Sequence, residues 1–368
     1  MNFFNLDLHV SVIEDVTHFL QGLGHKVTSW NVSGHSWIFG KEPRKVNGFN
    51  FESWLSLDEQ SCNNFYNYHS KFLDSFDAYI VTYASSVSLL YEKANKPIIL
   101  VVPTRYENPF TGDHEKIEWL NHFLKKKYAV GELLVIANNK GDQKYFEYFT
   151  GIRPILIPSI CKYTNHNYEP SKSYFLLQSR LKKIVTTKYQ HYIQRYRSIS
   201  NIRDLSNKLF YTKHKLGNRY SWKDLYSAKG IVHLPYQIST MSIFEQYTAC
   251  VPLFFPSKNF ISSLHAKYPN EILSELSFYQ VKDLNIEELS SSNPNNIKNS
   301  EVFNEWIENA DYYDNESMPF ISYFDDFEEL NTKLQNSDLF KISKNMKEHN
   351  KYRYSNATKK WKQVINEI

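Results

Sequence analysis

The chain has 368 residues, 42% of them hydrophobic and 22% charged, with a formal net charge of +4. That is material for roughly two domains at about 150 residues each, and it excludes a disordered chain and a dedicated nucleic-acid binder. No apolar run reaches the roughly 18 residues a membrane-spanning helix needs. The N-terminus lacks a basic, then apolar, leader. Cys62, Cys161 and Cys250 lie too far apart for a disulfide framework or a zinc-type pair, so a reduced, cytoplasmic protein is the expectation.

From the N-terminus, NFFNLDLHV (2–10) predicts a strand, VIEDVTHFLQGLG (12–24) a helix closed by Gly22 and Gly24, and HKVTSWNV (25–32) the next strand. A helix over 61–75, a strand over 77–83 and a serine-capped helix over 85–95 follow. PIILVVPT (97–104) is almost continuously apolar, as a parallel strand buried on both faces must be. Helices over 116–127 and 140–149 alternate with strands LLVIAN (133–138) and IRPILIPS (152–159). Residues 161–173 have no periodicity and read as a linker. Alternation then resumes with strands SYFLLQS (173–179), KLFYTKH (208–214), GIVHLPY (230–236) and PLFFPS (252–257), a long basic helix after the first and a helix over 239–250 before the last. Residues 284–316 are rich in Ser, Asn and Glu and predict loops and short helices, and the tail from 327 predicts charged helices. Strand–helix alternation at this spacing predicts an α/β fold with two doubly wound parallel sheets. The expected division is 1–165, 171–335 and helices over 336–368.

In such sheets ligands bind beyond the carboxyl ends of the strands. In the first half those loops carry His9, Asp15, His35, Trp37, Tyr83, Arg105 and Glu107. Of the 11 glycines, nine lie at or before Gly151 and none follows Gly230, so the second half has no Gly-rich phosphate cradle. A diphosphate site there must use a Ser/Thr-rich helix start, and Ser239, Thr240 and Ser242 open such a helix after Tyr236. Glu245, one turn in, is placed to accept hydrogen bonds from a ribose diol, and Lys213 is a nearby cation. Residues 171–203 carry eight basic residues and no acid. They form either a solvated helix face or a surface for acidic ligands.

The strand, Ser-rich turn, Glu-bearing helix and following Pro252 resemble the C-terminal donor domain of GT-B glycosyltransferases. Cys250-Val251-Pro252 stands where that family usually has Gly-x-Pro. The resemblance implies two Rossmann-like domains facing across a cleft, with C-terminal helices closing the fold. It also implies glycosyl transfer from a nucleotide-sugar, which serves as co-substrate without a further cofactor. Arg180, Lys213, Tyr236, Ser239, Thr240, Ser242 and Glu245 then bind the donor, with the nucleobase near 211–222. His9, supported by Asp15, is the first candidate for the base that deprotonates the acceptor, and Glu107 and His35 are the alternatives. His35, Trp37, Tyr83 and Arg105 are placed to bind the acceptor. The chain has no Asp-x-Asp pair, so a metal-independent reaction is expected. A nucleotide-sugar epimerase and a non-catalytic polyanion binder using residues 171–203 are the competing expectations, and the acceptor, a glycan or a nucleic acid, is left open.

Overall fold

The computed structural model describes residues 1–179, 208–278 and 289–368. Arg180 and the basic stretch that follows it to Arg203 lie outside the described residues. An N-terminal unit takes the described residues of Met1–Tyr163, Val281–Asn296 and Tyr354–Ile368. A C-terminal unit takes those of Thr164–Gln280 and Ile297–Arg353.

The N-terminal unit is built on β1 (Asn2–Asp7), β2 (Lys26–Asn31), β3 (Ala78–Val81), β4 (Ile98–Val102), β5 (Leu133–Ala137) and β6 (Ile155–Leu156). Every pairing is parallel and the order is β2-β1-β3-β4-β5-β6. Helices α1 (Val10–Gly22), α2 (Phe51–Leu55), α3 (Glu59–Leu73), α4 (His114–Ala129) and α5 (Lys140–Thr150) connect the strands. All five residues of β4 are buried, which is why its sequence shows no alternation. Gly24, at φ +87°, lets the chain turn sharply from α1 into β2. α3 starts at a reciprocal cap, the Asp58 carboxylate accepting from Ser61 N–H and the Ser61 hydroxyl from Asp58 N–H. The segment expected to be an α-helix from residue 85 is instead a 3-10 helix, Ser85–Tyr91. Ser88 donates back to the Ser85 carbonyl at 2.5 Å, the local competition that serines offer an α-helix. Phe4 anchors the core, its ring 4.9 Å from Trp30 and 5.4 Å from Phe72. Phe19 of α1 stacks on Tyr354 and Trp361 of the C-terminal helix Leu339–Asn366.

The C-terminal unit has β7 (Phe175–Ser179), β8 (Leu209–Tyr211), β9 (Ile231–Leu234), β10 (Leu253–Pro256) and β11 (Ser322–Phe324), also all parallel. Their order, β11-β10-β9-β7-β8, repeats the N-terminal pattern, with the first strand flanked by the second and the third. Two doubly wound parallel sheets in one chain are the pair of Rossmann-like units expected of the GT-B architecture. β8 is shorter than its sequence predicts, because the Thr212 hydroxyl bonds the Leu177 carbonyl and a helix, Thr212–Leu216, begins there.

Gly230 precedes β9, and a Cβ added there would lie 2.8 Å from the Pro252 carbonyl and 3.3 Å from the Phe175 ring. Gly34 has open space around it. We therefore expect Gly230→Ala to cost about 1–3 kcal/mol through overpacking, seen as a lower melting temperature. Gly34→Ala serves as the unchanged control.

Candidate functional site

In the C-terminal unit the winding reverses between β7 and β9, so the chain leaves their carboxyl ends in opposite directions and a crevice opens between them. A cavity of about 260 Å³ fills it, close to the lower end of small-molecule pockets. Gln178 and Ser179 close β7 on one side, Thr212 and Lys213 open the next helix on another, and Tyr236, Thr240 and Ser242 form the third wall. Tyr211, Tyr220 and His233 also line it.

The turn after β9 is pinned from outside. Leu273 N–H donates to the Pro235 carbonyl, Glu275 N–H to that of Tyr236, and Asp311 N–H to that of Ile238. The helix Met241–Thr248 starts at Thr240, whose side chain makes no capping hydrogen bond. Its hydroxyl lies 3.0 Å from that of Ser242 instead. The first N–H groups of a helix are those a capping side chain usually takes, and Thr240 leaves that role unfilled, Ile243 N–H turning back to the Thr240 carbonyl at 3.1 Å. The helix start with its two hydroxyls on one wall and the exposed Lys213 on another face the same cavity, a set of groups whose chemistry suits an anion.

Not every sequence-predicted donor residue reaches this cavity. Lys213, Tyr236, Thr240 and Ser242 line it, whereas Ser239 and Glu245 are buried outside its wall. Glu245 accepts from the indole N–H of Trp222 at 3.2 Å. Arg180 lies outside the described residues. Cys250, where a glycine was the family expectation, adopts φ +66°, the left-handed backbone that glycine favours. The Asn350 amide secures that turn by donating to the Tyr247 and Thr248 carbonyls.

Sequence reasoning missed the buried polar chain behind the cavity. His233 Nε2 lies 2.7 Å from Gln246 Oε1, and Gln246 Nε2 donates to Gln178 Oε1 at 2.9 Å. The His233 ring stacks on Phe255 at 4.5 Å. Burial lowers its pKa to about 4, so it is neutral at physiological pH. The only sequence signal was a polar residue inside an otherwise apolar strand.

In the N-terminal unit the equivalent reversal lies between β1 and β3. His9 precedes α1 there and packs against the Tyr83 ring at 5.2 Å. The residue is only partly buried, but its Nδ1 is enclosed and has no hydrogen-bond partner among the described residues. Desolvation, then the neighbouring charge of His35, lowers its pKa to about 4. Asp15 is engaged elsewhere, accepting from the Cys161 N–H at 2.7 Å and the Ile160 N–H at 3.3 Å. That holds Cys161 at φ 55°. The carboxylate next to His9 in sequence is Asp7, another residue the sequence reading passed over. It accepts from the Thr82 hydroxyl at 2.8 Å and from Thr82 N–H at 2.5 Å, and burial raises its pKa to about 6.

His35 is exposed and Trp37 half-buried. Arg105 is fully buried and paired with Asp142 at 2.6 Å, so its charge is spent internally. Glu107 accepts from the Tyr145 hydroxyl at 2.5 Å. Burial raises its pKa, against the lowering effect of that hydrogen bond. Among the described residues no group of three or more His, Cys, Asp or Glu is gathered as metal ligands would be, and no helix is long and apolar enough to cross a membrane.

No family model matches the sequence, and no curated protein matches it either. Solved structures do resemble it. The glycotransferase of kitacinnamycin is 10% identical, covering 100% of this chain and 98% of that one at a TM-score of 0.46. MurG of Acinetobacter baumannii is 11% identical, covering 100% and 99% at a TM-score of 0.44. A co-structure of MnaA with UDP from S. aureus is 10% identical, covering 69% and 78% at a TM-score of 0.42.

The titrations set a pH dependence. His9 and His233 are depressed from 6.5 to about 4, so the unfolded chain takes up their protons first and stability falls as pH drops through that window. Asp7, raised from 3.8 to about 6, acts oppositely, its contribution being lost as pH rises through that range. With five imidazoles lowered (His9, His18, His25, His233 and His349) against two carboxyls raised (Asp7 and Glu107), we expect a lower urea midpoint at pH 5 than at pH 7, and a steeper fall in Asp7→Asn. A midpoint independent of pH would contradict the burial of these rings.

Proposed function

We propose that this chain is a glycosyltransferase that takes a sugar from a nucleotide-sugar and passes it to an acceptor hydroxyl. The observation that carries the reading is the cavity at the β7/β9 reversal, lined by the helix start at Thr240 and Ser242 and by Lys213. The donor's diphosphate lies against that helix start and the hydroxyls of Thr240 and Ser242. The aromatic rings of Tyr211 and Tyr220 flank its nucleoside. As the bond from the anomeric carbon to the diphosphate breaks, negative charge grows on the leaving phosphate. Lys213 and the oriented N–H groups are placed to stabilise it. The reaction is read as metal-independent and without a further cofactor, on the lack of an Asp-x-Asp pair in the sequence.

The general base in this reading comes from the N-terminal unit. His9 is neutral at pH 7 and so holds the lone pair needed to accept a proton from the acceptor hydroxyl. Asp7 fixes the end of β1 from which His9 emerges, in the supporting place first given to Asp15. Glu107, its pKa raised by burial, is the weaker alternative. No specific observation favours an epimerase, and the basic segment behind the polyanion reading lies mostly outside the described residues.

A thermal-shift panel of UDP, GDP, dTDP and CMP tests the donor site, since a ligand that binds only the folded state raises the melting temperature by mass action. We expect one nucleotide to do so. Lys213→Ala should weaken its Kd roughly tenfold, the scale of one charge-assisted hydrogen bond. His9→Ala should leave the shift intact and lower sugar transfer. If none of the four stabilises the wild type, the donor-site assignment fails.

A further inference from the structure

The chain Gln178–Gln246–His233 has a direction, and the direction decides what the cavity presents to its ligand. Gln246 is fully enclosed and does not line the cavity, whereas Gln178 and His233 do. The amide of Gln246 is engaged at both ends, its nitrogen giving a hydrogen to Gln178 Oε1 and its oxygen facing His233 Nε2. A carbonyl oxygen only accepts, so His233 must carry its hydrogen on Nε2. That fixes the tautomer, because the ring sits between Gln246 and the Phe255 face and is neutral. At the other end Gln178 has spent its oxygen, and its NH₂ group has no partner among the described residues.

We propose that Gln178 is a ligand-reading residue that donates its amide N–H to an oxygen of the bound donor, and that Gln246 and His233 are positioning residues which hold it in that orientation. The ligand feature selected is an acceptor oxygen, such as a phosphate or carbonyl oxygen of a nucleoside diphosphate. The proposal rests on reading the cavity as the donor site. Reversing the amide of Gln178 would present an oxygen instead and repel the same group.

The reversal can be engineered without touching the ligand. In Gln246→Glu the side chain offers only oxygens, so Gln178 must turn its NH₂ inward and its carbonyl toward the cavity. UDP, GDP and dTDP are titrated calorimetrically into the wild type, and the tightest is carried to the variants. We expect Gln178→Leu to weaken Kd about tenfold and Gln246→Glu at least as much. The double variant should be no weaker than the worse single variant, because both act through one amide. Gln246→Met removes the hold without reversing it and should give a smaller loss, which decides the matter if Gln246→Glu does not fold. Nitrogen-15 shifts of His233 should report the Nε2–H tautomer in the wild type. An Nδ1–H tautomer, or wild-type affinity in both Gln178→Leu and Gln246→Met, overturns the proposal while leaving the donor site standing. If no nucleotide binds the wild type, both readings fall.

Discussion

A parallel sheet puts every strand's carboxyl end on one edge, and the side-chain chemistry of this protein follows from that constraint. Each unit starts its winding at an interior strand, β1 or β7, goes first to one side and then to the other. At the reversal two neighbouring strands have their successor strands on opposite sides, the place where such sheets open a crevice. In the C-terminal unit the gap is a cavity beneath a helix start. In the N-terminal unit it is the place where His9 leaves β1 beside Tyr83. The apolar strands bury the sheets, while the polar residues that follow them have the edge to themselves.

Both reversals are tied by a buried polar link. Asp7 at the end of β1 takes two hydrogen bonds from Thr82, just beyond β3. In the C-terminal unit Gln178 of β7 and His233 of β9 are joined through Gln246. Each link binds the first strand to the third across the gap, where backbone pairing alone is ending. Such groups are costly to bury unless satisfied, and a satisfied network fixes a single arrangement. The bonds that tie the strands at each reversal also orient the groups facing the crevice.

Much of this was legible in the sequence. IILVV is a buried strand because nothing in it is polar, and the helix over Met241–Thr248 announced itself through the turn residues before it. Thr240, Ser242, Lys213 and Tyr236 were recognisable because polar residues after a strand have one edge to occupy. Glu245 was harder to place. Helical spacing left its direction open, and in the fold it accepts from Trp222 and does not line the cavity. Asp7, His233 and Gln178 were hidden for the opposite reason. A polar residue at the end of an apolar strand is easily read as part of the strand, and its partners are 75, 13 and 68 residues away. The glycine shortage of the second half was informative but incomplete, since Cys250 adopts glycine's backbone without being one.

We propose that the C-terminal reversal, rather than any other surface, takes the nucleoside diphosphate. Hydrogen–deuterium exchange of the whole chain, with and without a saturating nucleoside diphosphate, tests it directly. Bound nucleotide should slow exchange in the peptides that carry Lys213–Tyr220 and Tyr236–Ile243 and leave β4 and β5 unchanged. Protection confined to the N-terminal unit, or none at saturation, would contradict it.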